Sequence, residues 1–302
     1  MSVGRPATGM LEPLTIGLVA PIFNNLPVWA ADRLGYFHEA GLEVSVRVLF
    51  GVQNVTTALK DGSIDVGLGT PESVLGDRSE PALRIIGGNA RTLANGLIAR
   101  REIRSIADLR GRTIGVSHPR EGTALLVTEM LGRHGLSAGR DYEIRAVGVA
   151  SERWKAIQRG ELDAGLQTPP HRYIAEDLGY PNLGDIADYV PDYQFTTVNV
   201  RATSITHHPQ ALSAVLSALS RATRWMTEQP AAAGALATEV LDTTPDYARR
   251  DYAHFAATHS LTPDLKLSEA GMAKVLSVMR AAGTLPDDVD PEARIDLSLL
   301  PT

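Results

Sequence analysis

The chain has 302 residues, of which 44% are hydrophobic and 21% charged, with 29 Lys and Arg against 35 Asp and Glu for a formal charge of −6. That length supports two lobes with cores of their own, and the acidic balance argues against non-specific nucleic-acid binding. There is no cysteine, which excludes disulfides, thiolate metal sites and cysteine nucleophiles.

No run approaches the ~20 apolar residues of a membrane span. Residues 1–10 lack an apolar signal core, so the expectation is a cytoplasmic protein, or a periplasmic one if a leader has been removed. The first apolar run, 14–19, reads as a buried strand. Asn25 and Pro27 follow as N-cap and first-turn residue of a helix over 28–34 that stops at Gly35. Residues 43–48 alternate in the strand period, and the loop 51–54 opens a helix over 55–60. Strands are predicted at 64–68, 83–86 and 96–99, and a helical turn at 105–110 ends at Gly111.

A similar series then begins. Residues 112–116 read as a strand, 117–123 as a loop, and Thr123 as the cap of a helix to about 134. A strand over 142–147, a helix over 152–159, a strand over 162–166 and a helix over 171–178 follow. The β-branched run 196–200 is a further strand. From His208-Pro209 the pattern turns helical: 209–228, with Leu212, Val215, Leu216 and Leu219 on one face, then 231–241, 246–258 and 268–282. The tail from Gly283 is rich in Pro and Asp.

The two series are copies. Ala58-Leu59-Lys60-Asp61-Gly62-Ser63-Ile64-Asp65-Val66-Gly67-Leu68-Gly69-Thr70-Pro71 recurs as Ala156-Ile157-Gln158-Arg159-Gly160-Glu161-Leu162-Asp163-Ala164-Gly165-Leu166-Gln167-Thr168-Pro169, at an offset of 156 − 58 = 98 and with 7 of 14 positions identical. The register extends upstream: Thr15-Ile16-Gly17 pairs with Thr113-Ile114-Gly115, and Pro21 with Pro119. A period this long means two copies of one supersecondary unit, not a solenoid. Each copy reads as helix, glycine stop, short strand and turn, with Gly62 and Gly160 in the left-handed region. Asp65 and Asp163 cap or solvate the strand entry. Thr70 and Thr168 lie past the carboxyl ends of their strands, where open α/β sheets bind ligands.

The fold expected is therefore two α/β lobes with a cleft between them. Residues 12–100 with 200–302 form the first lobe and 101–199 the second. Crossings lie near 96–100 and 196–200, and the helical C-terminal segment packs on the first lobe.

Several stretches resemble a known family. Leu34-Gly35-Tyr36-Phe37-His38-Glu39-Ala40-Gly41-Leu42-Glu43, Asp61-Gly62-Ser63-Ile64-Asp65-Val66-Gly67 and Ile106-Ala107-Asp108-Leu109-Arg110-Gly111-Arg112-Thr113-Ile114-Gly115-Val116 are similar to segments of the SsuA/TauA/THI5-like (NMT1) group of periplasmic substrate-binding proteins. The resemblance covers about residues 12–280 and implies the type II periplasmic-binding-protein fold. The group contains receptors for sulfonates, taurine, nitrate, pyrimidines and aromatic acids. It also contains a thiamine-pyrimidine synthase, a sulfinate desulfinase and phthalate-type decarboxylases, so the fold leaves the function open. The synthase and the desulfinase depend on cysteines, which this chain lacks.

Carried over residue by residue, the group's ligand loops correspond here to Phe23, Asn24 and Asn25; Gln53 and Asn54; Thr70 and Glu72; Ser117, His118, Arg120, Gly122 and Thr123; and Gln167 and Thr168. The chemistry of these residues has an independent logic. Gly122-Thr123 opens a helix whose free N–H groups suit an anion. Arg120 can grip a carboxylate or sulfonate bidentately. Ser117 and Thr123 either add hydroxyl donors or simply cap the helix. Glu72 is either the partner of an amine or the acidic start of a helix. Phe23 and Trp29 are candidate aromatic walls, and Trp154 reads as core. An enzyme would use His118, Glu121 and His171, which otherwise sit on a solvated rim. Their spacing matches no metal motif, and no cofactor is called for. The expectation is a solute-binding protein that closes by hinge motion on a small anionic organic molecule, such as a sulfonate or an aromatic or heterocyclic carboxylate, and hands it to an ABC permease. The alternative is a cytosolic decarboxylase-type lyase on the same fold.

Overall fold

The computed structural model describes residues 11–118 and 122–301. Its strands are β1 (Glu12–Leu18), β2 (Leu42–Val48), β3 (Val66–Gly69), β4 (Leu83–Ala90), β5 (Gly96–Ala99), β6 (Arg112–Val116), β7 (Tyr142–Ala146), β8 (Ala164–Gln167), β9 (Asn182–Asp185) and β10 (Thr196–Arg201). They form two five-stranded sheets, in the orders β2-β1-β3-β10-β4 and β7-β6-β8-β5-β9. In the first, β1 runs parallel to β2 and β3, while β10 is antiparallel to β3 and β4. The second repeats that plan, with β6 parallel to β7 and β8, and β5 antiparallel to β8 and β9. The two predicted copies thus occupy equivalent places in two sheets. Gly96–Ala99, read from the sequence as part of a crossing, is a full member of the second sheet. The chain leaves the first sheet after Ala90 and re-enters it at Thr196.

The repeat is visible at atomic detail. Thr15 N–H donates to Asp65 Oδ2 and Asp65 N–H donates to the Thr15 carbonyl, both at 2.9 Å. Thr113 and Asp163 make the same two bonds at the same distances. The Asp side chains therefore bond the neighbouring strand rather than merely solvating their own turn. Gly62 and Gly160 adopt φ of +81° and +75°, the left-handed stops that the pattern required.

The helical C-terminal segment packs on the first lobe. Pro209–Glu228 buries Leu212, Val215, Leu216 and Leu219 against Leu26, Val28 and Ala30 of the helix Leu26–Arg33. Helix Glu269–Ala281 joins a second core that also contains Leu126 and Met130 of the second lobe. The lobes are further tied by Lys274 Nζ to Glu129 Oε1 at 2.8 Å and by Arg250 Nη1 to Asp177 Oδ2 at 2.8 Å. Among the described residues no helix is long and apolar enough to cross a membrane.

Close packing of the repeat unit depends on paired glycines. A Cβ on Gly17 would lie 2.4 Å from Ile64 Cδ1, and one on Gly115 would lie 2.3 Å from Leu162 Cδ1. Gly115→Ala is expected to overpack the second lobe and to cost about 1–3 kcal/mol, read as a lowered midpoint in thermal or urea unfolding. An unchanged midpoint would contradict this packing.

Candidate functional site

The strand ends of both sheets face one cleft, whose main cavity is about 350 Å3. Its walls come from equivalent places in the two copies: residues 19–20 with 117–118, and 50–53 with 148–151. Thr70 and Thr168, also equivalent, both line it. Most of the surface is apolar, including Val19, Ile22, Leu68, Val149, Pro170 and Phe195.

Of the residues expected in the site, Asn25, Gln53, Asn54, Thr70, Ser117, His118, Gly122, Thr123, Thr168 and His171 line this cavity. Arg120 and Glu121 lie outside the described residues. Phe23 does not form the aromatic wall. It is buried and stacks on Phe255, with ring centroids 4.7 Å apart, behind the cavity. Asn24 lies behind it too, its carbonyl accepting from Asn89 Nδ2 at 2.8 Å. Glu72 is buried behind the cavity-lining Gly122, where a Cβ would lie 3.0 Å from its Oε1, and it accepts a hydrogen bond from the Tyr193 hydroxyl. Burial and that carboxylate hold the Tyr193 phenol far above its usual range. Gln167 is fully buried, and its amide is satisfied with Nε2 donating to the Ala150 carbonyl at 2.9 Å and Oε1 accepting from Trp154 N–H at 3.3 Å. Trp154 is a core residue, and Trp29 is half-buried against the first core.

Thr123 lies inside the helix Gly122–Gly132 instead of preceding it. Its Oγ1 accepts from Ser117 N–H at 2.9 Å and meets Ser117 Oγ at 2.7 Å. The pair thus ties the loop to the helix while both residues face the cavity.

Three residues are prominent here that sequence reasoning missed. Arg153 lines the cavity and is 2% exposed. Its Nε and Nη2 donate to the Leu166 carbonyl at 3.0 and 2.8 Å, and its Nη1 donates to the Gly148 carbonyl. Burial lowers its pKa to about 10, so it remains cationic at neutral pH. Among the described residues no carboxylate pairs with it. The repeat register held the signal, since 153 − 55 = 98 places Arg153 where the first copy has the buried Val55. Asn95 is the second such residue, 1% exposed, with neither amide atom bonded to a described residue. The third is Phe50 at the mouth, 59% exposed and at φ +50°, its carbonyl and that of Leu49 held by Asn54 Nδ2 at 3.3 and 2.8 Å.

The electrostatics of the cavity are one-sided. Among its described lining residues there is no Asp or Glu. The helices Val52–Asp61, Gly122–Gly132 and Ala150–Gln158 present their N-terminal turns to it, the positive ends of their dipoles. His171 is held below its usual range by burial, then by Arg153 and Lys155, and is a neutral imidazole at pH 7. Thr70 and Thr168 each present a buried Oγ1 with no hydrogen-bond partner among the described residues. Among those residues no three His, Asp or Glu side chains converge as a metal site.

Two lobes of this topology around one cleft are the periplasmic-binding-protein fold. A solved ligand-binding component of an ABC-type import system from Staphylococcus aureus, with zinc bound, superposes with a TM-score of 0.81 at 13% identity, covering 95% of this chain and 97% of that one. The alkanesulfonate-binding protein SsuA of Xanthomonas axonopodis, bound to MOPS, gives 0.74 at 19% identity, with 96% and 99% covered. In sequence, YtlA of Bacillus subtilis, a candidate binding protein by name, is 23% identical over 299 residues that cover 92% of this chain and 86% of its own. The NMT1/THI5-like family model matches residues 22–233, and the chain belongs to that family.

The unpaired hydroxyls make a specific prediction. Thr168→Val removes a buried polar atom that has no described partner, so the unliganded protein should keep or gain stability in urea unfolding. Binding of a ligand that accepts from that hydroxyl should weaken by about 0.5–1.5 kcal/mol, roughly three- to tenfold in Kd by calorimetry. Weaker unliganded stability together with unchanged Kd would contradict this role.

A second prediction concerns Asp251, which is fully buried on helix Pro245–Thr258. Burial raises its pKa well above the usual range, with Arg172 and Arg250 opposing. The folded chain keeps this proton at pH values where the unfolded chain, titrating near 4, has lost it. Its contribution to stability therefore falls as pH rises above about 4. Asp251→Asn should remove that slope, so that its stability relative to the parent rises by about 1.4 kcal/mol per pH unit above about pH 4, until the folded carboxyl titrates. Urea unfolding from pH 4 to 8 tests this, and parallel curves would show that Asp251 is ionised.

Proposed function

We propose that this chain is a solute-binding protein of the ABC-import type that closes its two lobes on a small organic anion with an apolar body, such as an aromatic or heterocyclic carboxylate or a sulfonate. The observation that carries the reading is the buried Arg153 at a cavity whose described lining includes no carboxylate. Its guanidinium hydrogen bonds go to carbonyls and no described carboxylate pairs with it, so inside a low-dielectric site a ligand anion would offset its charge. The three helix N-termini add partial positive charge and N–H donors. The apolar remainder of the wall suits a largely hydrophobic ligand body with few polar groups.

Family and fold neighbours support the class. The solved neighbours include binding proteins for alkanesulfonate and nitrate. Closure would be a hinge motion of the first sheet with the C-terminal helices against the second sheet, about the two crossings after Ala90 and before Thr196. The contacts Lys274–Glu129 and Arg250–Asp177 would form part of the closed state.

A thermal-shift screen of organic acids, followed by calorimetry on hits, tests the proposal. Hits recovered unchanged after long incubation are the expected result, and conversion of a hit would favour a lyase instead. Arg153→Met should weaken a carboxylate by on the order of 1–2 kcal/mol, roughly tenfold in Kd. The neutral amide of the same ligand should change far less. Equal losses for acid and amide would sink the anion assignment.

A further inference from the structure

Behind the main cavity lies a second chamber of about 10 Å3, lined by Asn24, Asn95, Thr168 and Asp251 together with phenylalanine rings. Asn95 and Thr168, with Ile22 and Phe195, line both spaces. The small chamber therefore adjoins the large one along these shared side chains. A volume of that size holds about one water-sized group.

The chamber's polar lining is buried and unbonded. Asn24 is 5% exposed, Asn95 1% and Asp251 0%. Asn24 Nδ2, both amide atoms of Asn95, Thr168 Oγ1 and both carboxyl oxygens of Asp251 have no hydrogen-bond partner among the described residues. Native proteins carry few such atoms, each costing about 1–3 kcal/mol. Six around one small space need a common explanation.

Charge and size narrow the occupant. The nearby cations are already committed: Arg172 to Glu176 at 3.0 Å and Asp185 at 2.7 Å, Arg250 to Asp177 at 2.8 Å. Burial raises the Asp251 carboxyl well above its usual range, and in its protonated form it offers one O–H donor and one carbonyl acceptor. The amides add donors and an acceptor. A carboxylate or sulfonate is too large for the volume. A methyl group fits but leaves every polar atom unpaired. A hydroxyl fits, donating one hydrogen bond and accepting up to two.

We propose that this chamber is a hydroxyl-recognition subsite, in which Asn95, Thr168 and Asp251 select ligands bearing a hydroxyl that reaches through from the main cavity. This rests on the organic-anion reading above and specifies the ligand class as hydroxylated acids. Sites built to bond a hydroxyl reject the analogue lacking it far more strongly than apolar pockets discriminate a methylene.

The test uses matched pairs, benzoate with 4-hydroxybenzoate and 3-phenylpropanoate with 3-(4-hydroxyphenyl)propanoate, in calorimetry on the full chain. For at least one pair the hydroxylated member should bind tenfold tighter or more. That ratio should persist in Asp251→Asn and fall to near one in Asp251→Leu, or in Asn95→Leu should the former not fold. Ratios near one in the parent, or a ratio that survives both leucine variants, would overturn the subsite. If no acid binds at all, the functional reading fails, and the chamber is then judged by diffraction from crystals soaked in methanol. A methanol oxygen within hydrogen-bond distance of Asp251 and Asn95, absent from Asp251→Leu, supports the subsite. A chamber that takes no methanol refutes it.

Discussion

The architecture depends on a two-bond clasp made twice. The backbone N–H of Thr15 bonds the side chain of Asp65 while its carbonyl takes the Asp65 N–H, and Thr113 with Asp163 repeats this. Each clasp fixes the register of a parallel strand pair, Ile16 opposite Val66 in one sheet and Ile114 opposite Ala164 in the other. A one-residue slip would turn each strand's faces inside out. From each Asp the chain runs five residues, at about 3.3 Å apiece, to the threonine at the cleft. The clasp thus sets where Thr70 and Thr168 arrive, and the paired glycines let helix and strand close over it.

Around that frame the molecule divides its polar groups in two. Some are bonded within the scaffold: Arg153 bonds two carbonyls, and Gln167 spans Ala150 and Trp154. Those turned to the cleft and the space behind it are not, as Thr70, Thr168, Asn95 and Asp251 illustrate. Buried groups left without partners are costly in a low-dielectric interior. Their gathering around the cleft and the chamber behind it is where the proposed ligand would complete the structure.

The sequence carried the duplicated plan because a repeat of identical Asp, Gly, Thr and Pro positions is a local signal, and glycine stops and β-branched runs are read over a few residues. Thr70, Ser117 and Thr168 followed from strand ends alone. What escaped depended on long-range placement. Gly96–Ala99 read as a crossing because its partners, Ala164–Gln167, lie some 70 residues away. Phe23 looked like a wall because nothing local announces that Phe255 will stack on it. Arg153 sat in an ordinary amphipathic helix, and only extending the 98-residue register to Val55 would have singled it out. Asn95 and Asp251 carry no local pattern, and their burial appears only once both lobes and the C-terminal helices are assembled.

The substitution of Val55 by Arg153 between the copies has a wider consequence. Duplication by itself builds a cavity with two interchangeable ends, each offering the same threonine and the same opening helix. Replacing an aliphatic side chain with a guanidinium in one half alone breaks that equivalence and gives the cavity a polarity. A molecule with a single charged end then has one preferred way round, and the reversed pose forfeits the attraction. A compound charged at both ends gains from only one of them.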